Sequence, residues 1–306
     1  MIVSSIDIGT NTILLLIADV NLITQKITPV YEEQQMPRLG KGLLPNGEIT
    51  EEKIELLVQT LSGYQKITES YNCQKTIISG TNALRIAKNS NEIIQLVRNK
   101  INFNIRVISG EQEAEFAYLG AVSGIGDLGS ALVIDVGGGS TELIFGSQKK
   151  IVYKNSFAVG SVIATERFLN STPPAKEEII NLRSEMRSIF NEASDRFSPD
   201  LVIGIAGTAT TLACMIKGLK QFDRDIVDGS IFTKKELDEL ITKIALLNPQ
   251  EILNDYGEIL KGREDIITGG AIILSEVLSL IKCHSLVISS RGIRYGAIVS
   301  ELFLNN

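Results

Sequence analysis

Short apolar runs of strand length alternate along this chain with longer segments whose apolar residues recur every three to four positions. Val3–Ile8 and Ile13–Val20 read as two strands joined by a polar turn, with a further strand near Lys26–Tyr31. Ile54, Leu57, Val58, Leu61, Tyr64 and Ile67 then fall on one helical face. Thr76–Ser79 is a short buried strand ending in Gly80-Thr81-Asn82, followed by a helix from about Ser90 and a strand at Ile105–Ile108. Small residues crowd Val122–Ser130, the best place for a domain junction. Beyond it, Ala131–Gly146 repeats the strand–turn–strand pattern, and a helix-rich region follows. Thr172-Pro173-Pro174 predicts a long helix with proline in its first turn, and Thr233 with Glu236 predicts a capped helix start. Leu286–Ser289 is the last strand, and a helix begins near Gly292. This alternation is α/β.

Composition narrows the class. The 306 residues are 44% hydrophobic and 22% charged, as for a globular chain of one or two domains. Thirty Lys plus Arg against 36 Asp plus Glu give a net charge of −6, which disfavours duplex nucleic acid as a partner. Glu276 and Lys282 interrupt the most apolar run, and Asp7 the N-terminal one, so neither a membrane span nor a signal peptide is expected. Cys73, Cys214 and Cys283 suggest reduced thiols in a cytoplasmic protein. His284 is the only histidine; zinc sites are out of reach, and its place between a helix and a strand suits a structural role.

The candidate chemistry lies in a duplication. Ile6-Asp7-Ile8-Gly9-Thr10-Asn11-Thr12 and Ile134-Asp135-Val136-Gly137-Gly138-Gly139-Ser140 align without a gap. Each is a buried strand ending in Asp, with Gly two positions later and a hydroxyl three after that. Glycine lets successive backbone N–H groups converge on phosphate oxygens, Thr12 or Ser140 adds a donor, and Asp7 and Asp135 are placed to hold a divalent cation such as Mg²⁺. The plain alternative, two hairpins with small turn residues, weakens because the motif occurs twice. A dinucleotide fold needs a helix directly after the glycines, where strands are predicted here, and no Gly-x-x-x-x-Gly-Lys-Ser/Thr loop exists. A third, weaker anion site is Gly207-Thr208, where the strand Leu201–Ile205 opens a helix.

These motifs resemble the exopolyphosphatase/guanosine pentaphosphate phosphatase family, within the actin-like ATPase and sugar-kinase superfamily. The resemblance runs from Asp7-Ile8-Gly9-Thr10-Asn11 through Asp135-Val136-Gly137-Gly138-Gly139-Ser140-Thr141-Glu142 to Arg291-Gly292-Ile293-Arg294, without the helical C-terminal domain of longer members. It implies two ribonuclease H-like (actin-like ATPase) lobes with an interdomain cleft: residues 1–124, and residues 125–306 unless the helix at about 292–306 packs back on the first lobe. It implies a hydrolase releasing terminal orthophosphate from polyphosphate or guanosine pentaphosphate, possible as a homodimer. An ATP-dependent kinase or a nucleotide-binding sensor of the same superfamily is the alternative.

Ser109 and Gln112 are spaced as a capping box that opens a helix carrying Glu113. Read alone, Glu113 is either a first-turn acid favoured by the helix dipole or a base, with the small Ala117 and Gly120 on its face leaving room toward a cleft. The resemblance aligns the catalytic glutamate with Glu113, where many relatives have Glu-Glu in place of Gln112-Glu113; Glu111 reads as a solvated charge. Glu142, on the same side as Ser140, is the second catalytic candidate. Arg85 and Thr81 follow a strand end, and Arg294 lies between Gly292 and Gly296; with Arg291, Arg38 and Lys41 they are the candidate cations and phosphate ligands.

Overall fold

The structure, a computed structural model, describes residues 1–43, 47–124, 129–147, 150–193, 196 and 198–304. It divides into two compact units, Met1–Gly124 with Gly292–Asn306, and Ile125–Arg291. Part of the expected junction, residues 125–128, lies outside the described residues.

In the first unit, β1 (Ile2–Ile8), β2 (Ile13–Asn21) and β3 (Lys26–Gln35) form an antiparallel meander, with Ile8 opposite Ile13. α1 (Glu51–Ser70) leads to β4 (Lys75–Gly80), which pairs parallel to β1, and α2 (Asn82–Ile86) and α3 (Ser90–Ile101) lead to β5 (Arg106–Val107), parallel to β4. The sheet order is β3-β2-β1-β4-β5, and α4 (Gly110–Val122) closes the run. β1 and β2 are central and covered on both faces, so most of their residues are buried, Ser4, Ser5 and Asp7 of β1 included. Ile6, Ile8, Leu15 and Ile17 pack with Leu57 and Leu61 of α1 and Val97 of α3.

The second unit repeats the plan. β6 (Ser130–Val136), β7 (Thr141–Ser147) and β8 (Lys150–Phe157) form the meander. β8 carries polar residues along much of its length and escaped the apolar pattern. α5 (Ser161–Phe168) and α6 (Lys176–Phe190) precede β9 (Leu201–Ile205), parallel to β6. α6 starts after the two prolines instead of on them: Glu178 reaches back to the Ala175 N–H at 2.8 Å and sets the first turn there. Ala206, in the left-handed region at φ 64°, turns the chain from β9 into α7 (Ala206–Ile216) with no intervening loop. Then come α8 (Arg224–Val227), β10 (Ile231–Thr233), α9 (Lys234–Ile244), α10 (Pro249–Tyr256), α11 (Ile267–Leu280) and β11 (Ser285–Ile288). The order is β10-β11-β9-β6-β7-β8, so β8-β7-β6-β9-β11 matches the first sheet strand for strand. α11 is buried along most of its length in the core, and its one acid, Glu276, pairs with Arg183 and, at 2.6 Å, with Arg187.

α12 (Ile293–Val299), extended by a π-helical turn at Ser300–Leu304, returns to the first unit. Tyr295, Ile298 and Leu302 cover the sheet face bearing Val3, Leu16 and Ala18. Here α12 crosses α4 so closely that a Cβ on Gly296 would overlap the Phe116 carbonyl, and one on Gly120 the Gly292 carbonyl. Among the described residues no helix is long and apolar enough to cross a membrane. Because backbone blocks the added methyl, Gly296→Ala is expected to lower stability by about 1–3 kcal/mol; equilibrium urea unfolding with an unchanged midpoint would contradict this packing.

Candidate functional site

In the first unit the parallel strands β1, β4 and β5 end on one edge of the sheet, where α/β folds place ligands. The turn after β1 is closed by the Gly9 N–H donating to the Thr12 carbonyl at 3.0 Å. Thr81, at the end of β4, donates both its N–H and its hydroxyl to the Ile8 carbonyl, each at 3.1 Å. The capping box at Ser109 forms in both directions, with Gln112 N–H to Ser109 Oγ at 3.1 Å, and so fixes the first turn of α4. That turn carries Glu113, only 6% exposed. Arg85 donates to Glu113 Oε2 at 2.8 Å, to the Ile108 carbonyl at 3.0 Å and to Asn82 Oδ1 at 3.3 Å. Burial pushes the Glu113 carboxyl up from the ordinary range, and Arg85 pulls it part of the way back. A carboxylate held this way is a stronger base than a solvated one.

The second unit carries the same turn, closed by Gly137 N–H to the Ser140 carbonyl at 3.0 Å. Thr208 donates its hydroxyl to the Val136 carbonyl at 2.7 Å, the counterpart of Thr81 on Ile8. Among the described residues, the amides of Gly138, Gly139 and Ser140 donate to no protein acceptor. The cross-strand row differs between the units. Asp135 faces Glu142, which faces Ser156, whereas Asp7 faces Leu14 and then Gln34. Directly opposed residues share a sheet face, so Asp135 and Glu142 form a buried carboxylate pair, 3% and 1% exposed. Ser156 donates to Glu142 Oε1 at 2.6 Å. Two hard oxygen donors on neighbouring strands suit Mg²⁺ in its usual water-rich shell; no group of three metal-binding side chains occurs among the described residues.

The structure thus brings Asp7, Gly9–Thr12, Thr81, Arg85 and Glu113 to one sheet edge, and Asp135, Gly137–Ser140, Glu142, Gly207 and Thr208 to the other. Four readings change. Thr81 and Thr208 spend their hydroxyl protons on strand-end carbonyls, so they hold the turns instead of donating to phosphate. Arg294 donates to the Leu15 carbonyl at 2.8 Å and pairs with Glu32 at 3.2 Å, anchoring α12 on β2 and β3. The glycines beside it serve helix packing, as does the Ala117–Gly120 face, which is filled by the C-terminal segment. Glu113 is therefore enclosed by its own unit and met by Arg85. Arg38 has φ 54° and gives its backbone N–H to the Asn11 carbonyl; Lys41, Glu111 and His284 are exposed.

Arg263 was missed. Its guanidinium lies against Gly207, where any Cβ would overlap it, and donates to Thr211 Oγ1 at 3.0 Å. Desolvation pulls it down to about 10, so it stays charged at neutral pH. In Lys261-Gly262-Arg263-Glu264-Asp265 it looks like one more surface charge, and only the packing of α7 singles it out.

The sequence profile of the Ppx/GppA phosphatase family matches residues 16–304. The bifunctional 3-dehydroquinate synthase/phosphatase of Fusobacterium nucleatum is 33% identical over 97% of this chain, which spans 46% of that protein. Exopolyphosphatase 2 of Mycobacterium tuberculosis is 30% identical, covering 90% of this chain and 89% of its own length. The solved structure of the Aquifex aeolicus PPX-GPPA enzyme superposes with a TM-score of 0.85 at 29% identity, covering 98% of this chain and 99% of that one. With the fold, the twin turns and these matches in agreement, the chain belongs to the Ppx/GppA phosphatase family.

Proposed function

We propose that this protein hydrolyses terminal phosphoanhydride bonds, releasing orthophosphate from inorganic polyphosphate and, as a second substrate, from guanosine pentaphosphate. The observation that carries this reading is the pair of glycine turns, closed by the same hydrogen bond at the same distance in two units of the same topology. Chains named exopolyphosphatase among the relatives support the substrate class.

In this reading the amides of Gly138, Gly139 and Ser140 in the second unit, and those of Thr10, Asn11 and Thr12 in the first, are the groups offered to phosphate oxygens. Arg263 and Arg85 supply positive charge. Glu113, as carboxylate, takes a proton from water while the water oxygen attacks phosphorus; the bond to the bridging oxygen breaks and the shortened chain departs. Asp135 with Glu142 beside it, and Asp7 in its own unit, are the carboxylates that would hold a divalent cation to offset substrate charge.

Phosphate release from long polyphosphate, guanosine pentaphosphate and ATP, compared without any acceptor, tests the reading. Release from at least one of the first two is expected, and an absolute need for an acceptor would point to a kinase. Glu113→Ala is expected to lower kcat by roughly 10²–10⁴-fold with KM little changed; equal turnover removes Glu113 from its role. The acid limb of the pH–rate profile should lie above the ordinary carboxylate range, because burial raises Glu113. Arg85→Ala takes away the group that lowers it, so that limb should move to still higher pH; a shift to lower pH contradicts the pairing. Removing divalent cations with a chelator should abolish release, and Mg²⁺ should restore it.

A further inference from the structure

Each glycine turn is tied down from behind by a second segment that also contains a glycine. In the first unit the Gly40 N–H donates to the Thr10 carbonyl at 2.8 Å and the Arg38 N–H to the Asn11 carbonyl at 3.1 Å. In the second, the first residues of α5 do this: Ser161 N–H to the Gly137 carbonyl and Val162 N–H to the Gly138 carbonyl, both at 2.9 Å, with Ser161 Oγ also on Gly137 at 3.2 Å. Thr10 and Gly138 are equivalent positions in the duplicated motif, yet Arg38–Gly40 is a loop and α5 a helix. The sequence alignment of the two motifs does not extend to either segment.

The approach is too close for a side chain. A Cβ on Gly160 would come 2.5 Å from the Gly137 oxygen and 2.6 Å from Gly138. One on Gly40 would overlap the Thr10 side chain and stand 3.4 Å from its carbonyl. In a trans peptide the C=O and the following N–H lie in one rigid plane and point in opposite directions. Fixing the Gly137 and Gly138 carbonyls therefore turns the Gly138 and Gly139 N–H groups the other way, and fixing Thr10 and Asn11 does the same for the Asn11 and Thr12 N–H groups. An amide set oriented before the ligand arrives costs little reorganisation on binding, which is what anion recognition by backbone requires.

We infer that Gly40 and Gly160 are positioning residues for phosphate recognition, each allowing a bracket to hold the carbonyls of one turn so that its amides face the anion. This rests on the phosphoanhydride-hydrolase reading above. Neither residue touches substrate; both act through the turn in front of them.

The test compares Gly160→Ala, Gly40→Ala and Ser161→Pro with the parent chain and with Gly63→Ala, whose added methyl meets nothing. Ser161→Pro removes both donors to the Gly137 carbonyl and sets the proline ring where the bonded N–H stood, so it displaces that carbonyl without adding a side chain at Gly160. Readouts are KM for polyphosphate, the inhibition constant of inorganic phosphate, the pH–rate profile and the melting temperature. In the bracket variants that fold, KM and the phosphate inhibition constant should rise together by about 10- to 100-fold, the scale of a small misplacement of recognition groups. The acid limb set by Glu113 should stay in place, and Gly63→Ala should match the parent in KM and inhibition constant. Folded bracket variants with a lower melting temperature but unchanged KM and inhibition constant overturn the inference, since a purely structural glycine behaves that way. A parent that releases no phosphate from any substrate sinks the hydrolase reading instead. Inorganic phosphate binding, followed by ³¹P line broadening, then decides the bracket by itself: equal binding by parent and Ser161→Pro refutes it.

Discussion

A four-residue turn at the end of a buried strand is the constraint on which the rest of this protein depends. The strand must stay largely apolar to sit at the centre of its sheet, yet its end must turn the polar backbone sharply. Gly9 and Gly137 reconcile these demands, because the bond from their N–H to the Thr12 or Ser140 carbonyl pulls the turn tight at 3.0 Å in each unit. A Cβ at Gly9 would stand 2.9 Å from that same acceptor. The segment that follows the neighbouring strand then supplies a threonine hydroxyl to the last strand carbonyl, Thr81 to Ile8 and Thr208, in α7, to Val136, so the turn starts from a fixed point. Buried carbonyls left without donors would cost on the order of 1–3 kcal/mol each, which is a physical reason for polar residues in so apolar a setting.

The two units have diverged in what they attach to this shared frame. The first places Leu14 opposite Asp7 and keeps its carboxylate, Glu113, on a helix, buried and held by Arg85. The second puts Glu142 opposite Asp135 and brings Arg263 over the start of α7. A duplicated scaffold thus carries different buried charges in its two halves. Each half keeps its charges in place with neighbouring groups: Arg85 limits how far burial raises Glu113, and Ser156 satisfies one oxygen of Glu142.

Much of the fold was legible because burial leaves a direct mark on residue type. Central strands read as apolar runs, α1 as a single apolar face, and the capping boxes at Ser109 and Thr233 as they form. β8 was not, since an edge strand with polar residues lacks that mark, and α6 began two residues past the prolines because a glutamate's reach, not proline's φ, set its start. Among site residues, the Asp-x-Gly turns stood out because their chemistry is local. The errors came from groups that face a choice of partners.

By itself, the sequence determined the class of the fold, the duplication, and where the paired glycine turns fall, since these depend on residue type and on spacings within a few positions. Tertiary structure alone decided that Thr81, Thr208 and Arg294 spend their donors inside the protein, that Arg263 lies against Gly207, and that the C-terminal helix belongs with the first unit. The reason is physical: a hydrogen-bond donor goes to whichever acceptor the fold brings within about 3 Å, and segments up to 279 residues apart in the chain supply those acceptors.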